Sequence, residues 1–191
     1  MRTLISLAVL IAFFALSGCS KDSESPVSPQ KDKSAFSKMV FTQVSVKQYS
    51  VNLIDPGVTT IENGKQIIKK MVMEDRFEAS SPLLTGKVIN TVSSIMDLTT
   101  GGGAVWGNLL IIPDADAGGG KWEIAYIGKM MPAGASVWTS TIKGFGRGVG
   151  GTINKMRYSA DFVIVSTVTP TGISWEGNGT VNLAQVKNNK Q

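Results

Sequence analysis

A chain of 191 residues with nineteen Lys and Arg against fourteen Asp and Glu, a formal charge of +5, and 42% hydrophobic side chains is long enough to bury the core of one domain. It has one cysteine and no histidine, which excludes disulfides, a Cys/His zinc site, an imidazole base and every serine–histidine hydrolase mechanism. An enzyme of this composition would work with carboxylates, lysines, tyrosines or shape, and no cofactor is expected.

In the first eighteen residues, "MRTLISLAVLIAFFALSG", Arg2 precedes an apolar run from Leu4 to Leu16. The run is too short to cross a bilayer and polar chain follows it, so residues 1–18 read as a signal peptide rather than a membrane span. The residues "LSGC", Leu16 to Cys19, resemble the lipobox of bacterial lipoproteins, in which the cysteine is acylated and becomes the mature N-terminus. The resemblance implies lipidation at Cys19, hence a membrane as partner. Ser20 in place of an aspartate implies the outer membrane of a bacterial envelope. Several acyl chains anchor stably where a single one is marginal.

Removing residues 1–18 takes away Arg2 and no acidic residue, leaving eighteen basic against fourteen acidic side chains and a net +4. That excess is spread along the chain, whereas a nucleic-acid footprint clusters basic and aromatic side chains on one face; no nucleic acid is expected as a partner. Residues 19–37, rich in Ser, Lys and Asp with Pro26 and Pro29, bury too little apolar surface to order themselves and read as a flexible tether with a typical reach of about 23 Å.

From Lys38 to residue 186 period-two alternation dominates, and residues 187–191 form a polar tail. Strands are predicted over Lys38 to Val46, Ile67 to Glu78, Gly86 to Ile95, Val105 to Ile112, Lys121 to Gly128, Ser136 to Gly144, Met156 to Ile164 and Ile173 to Leu183. In the seventh, Met156, Tyr158, Ala160, Phe162 and Ile164 oppose Lys155, Arg157, Ser159 and Asp161, which gives one dry and one wet side. Turn signals such as "DPG", "ENGK", "TGGG" and "TPTG" separate the strands. No crossover helices are visible, so the class is all-β and antiparallel.

"GFGRGVGG" over residues 144–151 satisfies the spacing of a dinucleotide turn. The segment after Gly151 alternates instead of forming the helix such a turn requires, and residue 171 is a threonine where an acidic residue is needed. Glycines at every second position are strand positions where another backbone comes close. "DADAG", Asp114 to Gly118, lacks the remaining ligands of a calcium loop and reads as a solvated turn. Glu74, Asp75 and Glu78 read as charges that discourage aggregation of a strand edge.

Glu123 and Glu176 each follow a tryptophan, in "KWE" and "SWE". If Trp122 and Trp175 fill the apolar face, the two glutamates share the other. They form an acid/base pair if a ligand cavity lies on that side, and are ordinary solvent-facing residues otherwise. Trp106, Trp122, Trp138 and Trp175 all fall on predicted strands, where an apolar ligand would pass close to them.

The run "VWGNLLIIPDADAGGGKWEIAYIGK" followed by "VWTSTIKGFGRGVGG" resembles small secreted bacterial β proteins that look similar to the allene oxide cyclase and dirigent barrel group. The resemblance implies a single closed antiparallel β-barrel of about eight strands with a central cavity, often within a homo-oligomer. Two functions follow as expectations: a non-enzymatic envelope lipoprotein whose barrel binds an apolar small molecule or a protein partner, and a cofactor-free isomerase or cyclase acting by confinement. No catalytic residue of that group maps onto this chain.

Overall fold

A strand with one apolar face must bury that face, and a ring of such strands buries all of them at once while leaving no edge to aggregate. The computed structural model, which describes residues 38–115, 118–170 and 172–187, takes this solution. Its strands are β1 Lys38–Asp55, β2 Val58–Glu62, β3 Lys65–Ala79, β4 Gly86–Asp97, β5 Gly103–Pro113, β6 Lys121–Gly134, β7 Val137–Val149, β8 Arg157–Thr169 and β9 Gly172–Lys187. The sheet runs β1-β9-β8-β7-β6-β5-β4-β3, and β1 pairs with β3 from Val46↔Ala79 to Asp55↔Val72, closing an eight-stranded antiparallel barrel. Residues 1–37, with Cys19 and the expected tether, and residues 188–191 lie outside the described residues.

The ring is as expected, but two segments go beyond the sequence reading. β1 continues nine residues past Val46 to Asp55, and the short β2 pairs only with β3, outside the ring. Most of residues 51–62 are exposed on both faces, and β1 carries register shifts between Ser50 and Asn52 and between Leu53 and Asp55. Without a buried face there is no period two to read.

The two ends of the barrel differ. At one, the connections 80–85 and 150–156 and the described ends of the β5–β6 connection, residues 114–115 and 118–120, meet the start of β1 and the end of β9, where Lys38 pairs with Lys187. This end is packed solid: Phe77, Leu84, Ile111, Trp122 and the Ile153 of a one-turn 3-10 helix, Gly151–Ile153, are all fully buried. The Trp122 indole N–H donates to the Leu83 carbonyl at 2.8 Å, and its ring lies 5.9 Å from that of Tyr158. Burial of each such side chain contributes about 1.5–3 kcal/mol.

The glycines of residues 144–151 are strand positions, and the nucleotide turn is absent. Gly144, Gly146 and Gly148 face inward on β7. A Cβ on Gly146 would fall on the Glu123 carbonyl of β6, and one on Gly148 on the carbonyl of Ile153. The missing side chain at Gly146 lets β6 come close, and the one at Gly148 lets Ile153, the plug of the closed end, seat against the strand.

Candidate functional site

The other half of the barrel is hollow. A cavity of about 330 Å³ occupies it and reaches the rim, since the exposed Val168 and Gly172 belong to its lining. Its wall is mainly apolar, with Val92, Val105, Ile142, Phe162 and Ile164, and no charged side chain lines it among the described residues. This is the size at which an eight-stranded barrel holds one small ligand.

The floor is polar. Gln48, Asn90 and Tyr126 line the cavity, and behind them sits Asp75, which is 1% exposed. One oxygen of its carboxylate, Oδ2, accepts the Gln48 Nε2–H at 2.7 Å and the Asn90 Nδ2–H at 2.8 Å. The Tyr126 hydroxyl donates to Asn90 Oδ1 at 3.0 Å. The Trp175 indole N–H is directed at the same carboxylate, but neither it nor Asp75 Oδ1 makes a hydrogen bond of good geometry among the described residues. Gly107, paired with Tyr126 across β5 and β6, makes this floor possible: a Cβ there would lie 2.7 Å from the Tyr126 hydroxyl oxygen, so only glycine lets the ring lie across β5 toward Asn90.

Burial dominates the electrostatics. It drives the Asp75 carboxyl from 3.8 to about 6, against the lowering effect of the hydrogen bonds from Asn90 and Gln48 and of the Trp175 indole N–H directed at it. Burial, and then the charge of Asp75, push the Tyr126 hydroxyl well above its ordinary value, and burial alone does the same for Tyr158. The Tyr158 hydroxyl, also at the cavity wall, has no hydrogen-bond partner among the described residues.

The sequence-derived candidates divide. Trp138 and Trp175 line the cavity, and the Trp138 indole donates to the Gly101 carbonyl at 3.1 Å near the rim. Trp122 is part of the closed end, and Trp106, 37% exposed, faces outward. Glu123 and Glu176 lie on the outer wall, away from the cavity, paired with Lys121 at 3.2 Å and Lys47 at 3.0 Å, so of their two readings the solvent-facing one stands and the acid/base pair falls away. Closing the ring turned the tryptophan-bearing face inward and therefore put the alternate glutamates in solvent.

Asp75 is corrected in the opposite sense: it is no edge charge, because β3 is paired on both sides and the side chain points into the barrel. Its neighbours Glu74 and Glu78 do face outward, held by Lys87 and by the Tyr49 hydroxyl. Asp114 of the "DADAG" loop pairs with Arg76, whose hydrogen bonds hold its carboxyl below the usual carboxylate range; Asp116 lies outside the described residues. Comparison with known protein families, with curated proteins and with solved structures finds no match.

Proposed function

We propose that this chain is a lipid-anchored bacterial envelope protein whose barrel holds one small, largely apolar molecule. The observation that carries the binding half is the 330 Å³ cavity with its uncharged wall and polar floor. Apolar walls supply affinity, and a few convergent polar groups set orientation. The anchoring half rests on the lipobox-like "LSGC" and the polar, proline-containing segment after it.

For the cavity, titration with apolar molecules of suitable size, including terpenoids, polyenes and fatty acids, is expected to give a saturable change in tryptophan emission at micromolar concentration for at least one of them. Trp175→Phe should remove most of that change. Glu123→Gln and Glu176→Gln should leave affinity unaltered, because both side chains are outside. A flat response across the whole set would overturn the container reading and favour a structural or protein-partner role.

A second reading, an isomerase or cyclase acting by confinement, draws on Asp75, whose carboxyl burial pushes up to about 6, toward the range in which an acid/base group works. Recovery of the bound molecule separates the two. A container returns it unchanged, while an enzyme returns a rearranged product whose formation falls at least tenfold in Asp75→Asn.

For the anchor, metabolic labelling with a palmitate analogue should mark the wild type and send it to the membrane fraction. Cys19→Ala should lose both label and membrane association. Equal absence of label from the two proteins would remove the localisation.

A further inference from the structure

We infer that the molecule held in the barrel carries a protonated amine, seated over the floor of Gln48, Asn90 and Trp175 within reach of the Asp75 carboxylate, with its apolar body toward the rim. The inference rests on the container reading and adds the chemical class of what is contained.

The first argument is charge balance. On the outer wall, Glu74, Glu123, Glu176, Asp114 and Asp161 each pair with a lysine or arginine. Inside, Asp75 is the one buried ionisable carboxylate among the described residues, and it has no such partner. The groups that face it are Gln48 from β1, Asn90 from β4 and Trp175 from β9, all neutral donors. The other titratable groups at the cavity wall, Tyr126 and Tyr158, are held protonated by burial. A buried charge compensated only by dipoles is a costly arrangement that a cation relieves.

The second argument is the polarity of those partners. Three N–H groups directed at one carboxyl favour the carboxylate, and Oδ1 is left without a donor among the described residues. By taking the amide N–H of Gln48, Asp75 also turns that side chain's carbonyl oxygen away from itself, on a residue that lines the cavity. The third argument is the wall: Tyr126, Tyr158, Phe162 and Trp175 line the cavity, and aromatic rings attract cations. A carboxylate head group would meet like charge, and an alcohol would leave the charge uncompensated.

Octylamine, 1-octanol and octanoate share one chain length and differ only in head-group charge, so they separate these cases when titrated into the full chain at pH 8 and pH 5. An alkylamine, with a pKa near that of lysine at about 10.4, stays charged at both values, so any change reports on the protein. At pH 8 octylamine should bind at least tenfold more tightly than octanol, and octanoate more weakly than either. Its advantage over octanol should shrink at least fivefold at pH 5, where Asp75, with its pKa near 6, is mostly protonated. In Asp75→Asn the ratio of octylamine affinity to octanol affinity should fall to about one.

The inference is overturned if octanol matches octylamine in the wild type, or if the preference survives in Asp75→Asn. The pH series on the wild type decides the matter alone should the variant not fold. Binding of octanol without preference for the amine leaves the container reading standing and removes only the amine. Binding of none of the three, together with a flat response to the wider set, removes both.

Discussion

Asp75→Asn is expected to make the barrel more stable at pH 8 and to flatten its pH dependence. Asp75 is 1% exposed and its carboxyl is raised from 3.8 to about 6 by burial, so the folded state binds this proton more tightly than the unfolded chain does. The stability that proton contributes is complete below pH about 4 and is lost as pH rises through about 6. A shift of that size corresponds to about 3 kcal/mol between the two limits, at about 1.4 kcal/mol per pKa unit. The amide cannot ionise, and the Gln48 and Asn90 side chains can turn to accept its N–H groups. Urea unfolding of both proteins from pH 4 to pH 8 tests this, because the difference between them isolates Asp75 from the other carboxylates. The variant should gain on the wild type across that window. A difference that stays constant with pH would mean the carboxyl is not raised, and with it the account of the cavity floor would fail. A stabilising loss of a polar residue is the pattern expected where a group is kept for function.

The second large effect belongs to the glycine stretch. Gly148→Val should cost about 3 kcal/mol or more, by overpacking against backbone that cannot move away, and should lower the melting temperature by roughly 10 °C. The new Cβ would fall on the Ile153 carbonyl, and the strand is fastened at that point. Gly148 N–H donates to the Met156 carbonyl at 2.9 Å and its carbonyl accepts the Lys155 N–H at 3.1 Å. Gly134→Ala is the control, since its Cβ would meet only the Val137 Cβ at 3.9 Å, and it should change melting little. Differential scanning calorimetry reads both. Equal melting of Gly148→Val and wild type would contradict the close packing of plug on strand.

The ring was legible because its strands bury one face each: the sets Met156 to Ile164 and Ile173 to Leu183 point inward as their alternation requires. β2 and the far part of β1 were not, since strands exposed on both faces carry no such signature. The polar floor leaves a trace in the strand patterns. Asp75 shares its face with Met71, Met73 and Phe77, Gln48 with Val44 and Val46, and Asn90 with Val88 and Val92. A polar residue in the apolar register of a strand marks either a flaw or a site, and three of them in three strands favour a site. Their meeting around one carboxylate, however, depends on the register of β3 with β4 and on the β1–β3 closure, which no single strand encodes. The two readings of Glu123 and Glu176 were separated only by the closed ring: which of its faces looks inward is decided by the apolar residues, not by where a carboxylate would be useful.

The pairing of Lys38 with Lys187 places both ends of the barrel's chain on the plugged side, opposite the rim. Anything spliced before β1 or after β9, whether a fluorescent reporter, an affinity handle or a linker to a sensor chip, leaves the barrel at its closed base. A layer of such barrels coupled through either terminus would stand like cups with their openings toward the flowing sample, and attachment chemistry would not compete with entry of the guest.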